Sequence, residues 1–482
     1  MARAFWVLLG ANYALALLSV LTVLRRRREP PAMVAWIFAI LTLPGLGMLA
    51  YWLLASGRLR RKVRRRRRRL ASLVADVRRW GCLPETQPGR PHDPGLPEDL
   101  AGIERLGRRL ADMPATAGND VRILEEADAT YTALEEALRA AQHHIHLEYY
   151  IWQPDETGHH FRDVVIERAR AGIECRILLD AVGCRRVRRA FLRPLLEAGV
   201  RVGFFMPLRP FVLRRRWSVH LRNHRKIAVV DGRVGFLGSQ NIGDEYRGRR
   251  RRLSPWYDTH LRVAGSAPLF LQQTFAEDWY LVTRERLDAP VYFPSPTAAG
   301  PSVVQVLPTG PDQNVDILAQ IVFAAVSSAQ RSIRIATPYF APDPAVRMAL
   351  AHAQYRGVPV RLVLPSRSDS RLAVWAARSF YPELLEAGIE VYEYESGVLH
   401  SKLVTVDDRW CMVGSANMDV RSFRLNFEIT ALVYDPQVAA DLGRSIDRFC
   451  AGARRITVRD VYRQPAWRQL GEGAARLFAP LL

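Results

Sequence analysis

Cysteine is scarce in this chain, and acid is nearly missing from its first 69 residues. The five cysteines, Cys82, Cys175, Cys184, Cys411 and Cys450, are odd in number, and none has the spacing of a metal-ligand pair. A disulfide-stapled secreted scaffold is thereby excluded, and reduced thiols in a cytosolic compartment are expected. Through Arg69 a single acid, Glu29, stands against fifteen Lys and Arg, so this stretch carries +14 of the formal +21. The other 413 residues share +7, which argues against the nucleic-acid partner that the total charge suggests. Basic clusters flanking apolar stretches instead bind anionic lipid head groups, at about 1 kcal/mol per residue near the surface.

Charge is absent from Phe5 to Leu24 and from Ala32 to Ala55, stretches of twenty and twenty-four residues. As helices, each spans roughly 30 Å of hydrocarbon. Arg25 to Arg28 follow the first, where a small-residue cleavage site would be needed, so a cleaved signal peptide is excluded. The expectation is a membrane hairpin over 1–57. The basic residues after the second segment favour a cytoplasmic location for the rest of the chain. Arg25 to Arg28 oppose a simple hairpin, and Pro44, Gly45 and Gly47 can break the second helix, so a shallow re-entrant hairpin stands as an alternative. Residues 58–100 form a basic juxtamembrane segment and a linker with prolines at 84, 88, 91, 94 and 97. Two halves follow, 101–289 and 302–482, separated by a proline-rich stretch expected to cross the surface.

The halves share a chemical skeleton. His224 to Asp231 (HRKIAVVD) and His400 to Asp407 (HSKLVTVD) both read His-x-Lys-x-x-x-x-Asp. Each is followed by a Gly-Ser-x-Asn block, Gly238 to Asn241 and Gly414 to Asn417, and the offset is 176 for the histidines and for the serines. A strand sends alternate side chains to one face, so His224 and Lys226 point together, as do His400 and Lys402. Asp231-Gly232 and Asp407-Asp408 read as tight turns, which favours a structural role for the two aspartates. The returning strand brings Ser239 and Asn241, or Ser415 and Asn417, level with the imidazole and ammonium. That composition suits an oxyanion, above all a phosphate. The repetition implies that each half supplies half of one site.

These motifs resemble those of the phospholipase D superfamily. The likeness extends to LLEAGVRV (195–202) against LLEAGIEV (384–391), and to HHIHLEYYIW (143–152) against RSIRIATPYF (331–340). Alternating helices and strands imply a duplicated α/β sandwich, largely parallel, whose halves share one active site. Within the superfamily the apolar N-terminus, VLPTGPD (306–312) and NIGDEY (241–246) resemble bacterial cardiolipin synthases. The resemblance implies a multi-pass protein of the bacterial cell membrane that transfers a phosphatidyl group between phosphatidylglycerols. It implies His224 as nucleophile, His400 as acid and base, Lys226, Asp231, Lys402 and Asp407 as the other residues of the two catalytic motifs, and crossed carboxylates: Glu428 on His224, Asp258 on His400. Lys226, Lys402, Ser239, Asn241, Ser415 and Asn417 would then hold phosphate, with no metal or other cofactor. The second reading is a phospholipase D-type hydrolase, in which water replaces the acceptor, or another phosphatidyl transferase of the same superfamily.

Other residues carry weaker signals. His144 and His146 alternate on one strand and read as a polar strand edge rather than a metal pair. His159 and His160 fall in a loop expected to be solvated. Arg214 to Arg216, with Arg222 and Arg225, read either as a grip on lipid phosphate or as a solvated face.

Overall fold

The structure, a computed structural model, describes residues 2–25, 30–51, 94–206, 221–249, 254–313 and 315–479. Most of the basic segment and linker, together with Cys82, Arg214 to Arg216 and Arg250 to Arg252, lies outside them. The chain divides into two compact units, 1–65 with 209–218, and 66–208 with 219–482.

The N-terminal unit contains α1 (Ala2–Leu24), α2 (Pro30–Thr42) and α3 (Pro44–Ala50). The predicted second segment is therefore not one helix. It breaks at Leu43, before a proline that cannot donate to the preceding turn. At about 1.5 Å per residue, α2 is some 20 Å long, short of a hydrocarbon core. Among the described residues no helix is long and apolar enough to cross a membrane. The expected pair of spans is not met. Ala16, Val23, Ile40 and Tyr51 pack together, while Leu17, Phe38 and Leu46 stay exposed.

The second unit holds both halves on one sheet. Its first half contributes β1 (Ala115–Glu125), β2 (His144–Tyr149), β3 (Glu174–Asp180), β4 (Arg201–Phe205), β5 (Lys226–Val230), β6 (Val234–Gly238) and β7 (Thr259–Ala264). The second half contributes β8 (Ser302–Thr309), β9 (Ile333–Ala336), β10 (Val360–Pro365), β11 (Glu390–Tyr394), β12 (Leu403–Val406), β13 (Trp410–Gly414), β14 (Glu428–Tyr434) and β15 (Ala453–Ile456). The strand order is β15-β11-β10-β9-β12-β13-β14-β8-β1-β7-β6-β5-β2-β3-β4. Outward from the β8–β1 junction the two directions repeat strand for strand, with β15 as an extra edge. This is the duplication written in topology.

The expectation of largely parallel strands is corrected. Parallel pairing in this sheet is confined to β2–β3–β4 and β9–β10–β11, where helices such as Glu156–Arg170 and Pro344–Tyr355 provide the crossovers. The motif hairpins β5–β6 and β12–β13, and the strands beside them, pair antiparallel. Central strands are buried along their length, which is why they read as continuous apolar runs. The halves join where Ala115 pairs with Gln305 and Thr116 with Val304. The stretch 290–301 does not simply cross the surface, because Phe293 is buried.

Candidate active site

Each histidine enters just ahead of its motif hairpin and is tied by main chain to the other half. His224 N–H donates to Phe427 O at 2.9 Å, and Phe427 N–H donates to Arg222 O at 2.9 Å. Likewise His400 N–H donates to Tyr257 O at 2.8 Å, beside a parallel pairing of Val398–Leu399 with Trp256–Tyr257. Residues 427 and 257 immediately precede Glu428 and Asp258. Backbone pairing thus delivers each carboxylate to the opposite imidazole.

The resulting contacts are crossed. His224 Nδ1 lies 2.9 and 3.1 Å from the Glu428 oxygens, and His400 Nδ1 lies 2.8 Å from Asp258 Oδ1. A carboxylate there assigns the proton to Nδ1 and leaves the lone pair on Nε2. The carboxylates are themselves fixed. Ser415 Oγ and Asn426 Nδ2 donate to Glu428 at 2.5 and 3.1 Å, and Trp256 Nε1 donates to Asp258 Oδ2 at 2.7 Å. Asn426 and Trp256 each stand two residues before the carboxylate they hold. Sequence reasoning missed both, although that shared spacing was the available signal.

The serines do not sit where the phosphate cradle required them. Both are fully buried. Ser239 Oγ donates to Thr259 O at 3.0 Å and accepts Thr259 N–H, while Ser415 accepts Ile429 N–H and holds Glu428. The preceding glycines explain the close approach, because a Cβ on Gly238 or Gly414 would fall 2.6 or 2.3 Å from the carbonyl of Thr259 or Ile429. Hydroxyls pulled against the adjacent strand brace the carboxylates and leave Asn241 and Asn417 on the cavity wall.

Asp231 and Asp407 are likewise removed from the chemistry. Both have positive φ, +54° and +58°, at the hairpin turns. Asp231 accepts the backbone N–H groups of Gln142, His143 and His144, and Asp407 those of Gln330, Arg331 and Ser332. Each aspartate fastens its turn to the start of β2 or β9, and the motif's aspartate is a brace.

His224 and His400 line a single cavity of about 350 Å³, with Tyr150, Trp256, Asn241 and Asn417 on its walls. The rings of Tyr150 and Trp256 lie 4.8 and 5.0 Å from those of His224 and His400. Lys226 and Lys402 donate to the carbonyls of His224 and His400, both at 2.6 Å, and Lys402 Nζ is 3.1 Å from His400 Nε2. Burial sets the protonation states. It pushes His224 down to about 4 and lowers His400, where Asp258 and Asp369 oppose the shift. It also lowers Lys226 to about 7 and Lys402 to about 8. Burial alone would raise Asp258 and Glu428, but the adjacent imidazoles and ammoniums hold both below the usual carboxylate range. The resting site therefore pairs neutral imidazoles with ionised carboxylates and has cations poised to gain from a bound anion.

The weaker candidates resolve as packing. His144 and His146 are buried inside the sheet, on a strand flanked by β5 and β3, so they form no strand edge. His146 contacts Gln272 and Arg176, and among the described residues no His, Cys, Asp and Glu cluster suits a metal ion. His159 and His160 lie on the helix Glu156–Arg170, not in a loop. Arg225 is buried against Asp278 and is not available to lipid, whereas Arg222 lines the cavity. Cys175, Cys184 and Cys411 are free and buried.

The family model "Cardiolipin synthase, PLD-like domain" matches residues 134–250 and 322–450, and "Phospholipase_D-nuclease N-terminal" matches 14–55. The chain is 38% identical to the cardiolipin synthase of Geobacillus kaustophilus, covering 100% of this chain and 96% of that one. It is 40% identical to cardiolipin synthase 2 of Bacillus anthracis, covering 78% and 74%. In fold it is similar to the crystal structure of phosphatidylserine synthase from Haemophilus influenzae, with a TM-score of 0.59 at 16% identity over 79% of this chain and all of that one.

Proposed function

The chain belongs to the cardiolipin synthase family of phospholipase D-like proteins, and from that premise we propose that it joins two phosphatidylglycerols through a covalent phosphatidyl-histidine. The supporting observation is the crossed arrangement, in which each imidazole on one cavity is oriented by a carboxylate of the other half. His224 Nε2 attacks the phosphorus, and the bond to the glycerol oxygen breaks as His400 supplies its proton. The substrate's negative charge and Asp258 raise the proton affinity of His400 for that step. His400, now neutral, takes the proton of an acceptor hydroxyl. The acceptor oxygen attacks phosphorus, the P–N bond breaks, and cardiolipin leaves. Lys226 and Lys402 offset charge on the phosphoryl oxygens, with the Asn241 and Asn417 amides beside them. The scheme uses only side-chain acid–base and nucleophilic groups.

The N-terminal unit is read as a shallow re-entrant membrane anchor. Exposed Leu17, Phe38 and Leu46 and the break at Pro44 support that reading over two full spans. The basic run Arg64 to Arg69 would bind anionic lipid from the cytoplasmic face.

The test is product analysis by mass spectrometry after feeding labelled phosphatidylglycerol in vesicles, with a denaturing quench at neutral pH, where the P–N bond survives, to recover a His224 peptide carrying the phosphatidyl group. Cardiolipin and that adduct are expected. Phosphatidic acid alone would make the protein a hydrolase, and an adduct on His400 would reverse the two roles.

A further inference from the structure

The two halves match at the histidines but not on the rest of the cavity wall. Three buried side-chain oxygens of its lining residues have no hydrogen-bond partner among the described residues: Asn417 Oδ1, Asp419 Oδ2 and Asn426 Oδ1. All three residues belong to the second half and are at most 6% exposed. At the offset of 176, the first half places Asn241 and Gly243 opposite Asn417 and Asp419. Asn241 Oδ1 already accepts Ile151 N–H at 3.1 Å, and Gly243 has no side chain. The counterpart of Asn426 is Trp256, a donor already engaged by Asp258. Among the described residues, the buried acceptors without a donor on this cavity wall thus all belong to the second half.

Buried acceptors without donors are costly unless a ligand supplies the donors. Phosphate oxygens supply none; hydroxyl groups do. The geometry points to Asn417, Asp419 and Asn426 as a polyol subsite, which holds the glycerol group that departs in the first transfer and the glycerol group that attacks in the second. This rests on the phosphatidyl-transfer reading above and deepens it. The leaving group and acceptor are the same chemical fragment, so one subsite serves both half-reactions. Asp419 Oδ1 is engaged at the start of the helix Val420–Arg424, where it accepts Ser422 N–H at 2.6 Å, and this leaves Oδ2 for the ligand.

The test compares glycerol with 1-propanol as competing acceptors of a labelled phosphatidyl group. Propanol offers the reacting hydroxyl without its neighbours. Wild type is expected to prefer glycerol, and Asp419→Asn, which keeps an N-cap, to lose about tenfold of that preference, about 1.4 kcal/mol. Because each preference is a ratio within one sample, a loss of folded enzyme cancels. Asp419→Ser, a second cap-forming variant, is expected to shift the ratio the same way. An unchanged ratio in both variants overturns the subsite while leaving phosphatidyl transfer intact. Wild-type protein that labels neither alcohol and makes no cardiolipin overturns the transfer reading itself.

Discussion

Replacing Glu428 by Gln tests the crossed arrangement with almost no change in volume. The carboxylate accepts from three groups: His224 Nδ1, Ser415 Oγ and Asn426 Nδ2. Ser415 and Asn426 address different oxygens, so an amide, with one acceptor and one donor end, must set its NH2 against a donor. If the NH2 faces His224, Nδ1 becomes the acceptor and the ring proton moves to Nε2. The nitrogen that would attack phosphorus then has no lone pair to offer. If the oxygen faces His224, the imidazole keeps its tautomer but loses the charge that stabilises it as it becomes cationic. For a carboxylate-to-amide change beside a catalytic imidazole, the loss in turnover is on the order of 10³ to 10⁴, or roughly 4 to 5.5 kcal/mol of barrier. The assay is the initial rate of cardiolipin formation from labelled phosphatidylglycerol, alongside the covalent label on His224 recovered after a neutral denaturing quench. Both should fall together while the thermal unfolding midpoint stays close to wild type. A loss of less than tenfold, with His224 still labelled at the wild-type rate, would refute the orienting role of Glu428.

Three further outcomes follow from the geometry. Because burial lowers Lys226 and Lys402 to about 7 and 8, and the ammonium is the active form, kcat/KM should lose its lysine-dependent part as pH rises through about 7 to 8 and keep it in full only about one pH unit below. Lys226→Arg should move the onset of the limb up to about 8, where Lys402 titrates, since a guanidinium stays charged, and a wild-type profile flat from pH 7 to 10 would contradict this. Asp407→Ala strands three backbone N–H groups and should cost about 2 to 4 kcal/mol, measured by thermal unfolding. Asp407→Asn, which tolerates a φ of +58° and retains an acceptor, should cost less than half of that; equal losses would show that the brace does not depend on the acceptor. Replacing Arg64 to Arg69 with Gln should weaken binding to anionic vesicles at low salt and leave neutral vesicles unaffected, as read by co-sedimentation.

Much of the site was legible because it is written twice. Equal offsets picked out His224, Lys226, His400 and Lys402, and matching contexts picked out Asp258 and Glu428. The turn position of Asp231 and Asp407 already pointed to structure over chemistry. Other features were illegible because they depend on which backbone lies alongside. Ser239 and Ser415 looked like phosphate ligands until the adjacent strands claimed their hydroxyls. His144 and His146 alternate as an edge would, yet strands on both sides bury them.

The sequence by itself determined that two copies of one hairpin chemistry exist and that their residue types suit a phosphate, because local periodicity sets which side chains share a face. Tertiary structure alone decided that the copies meet. The β8–β1 junction fuses the halves into one sheet, and the pairings of His224 with Phe427 and His400 with Tyr257 cross the carboxylates over. It also decided that the cavity is unequal at its two ends. Hydrogen-bond satisfaction is a property of three-dimensional neighbours, and no spacing along the chain records it.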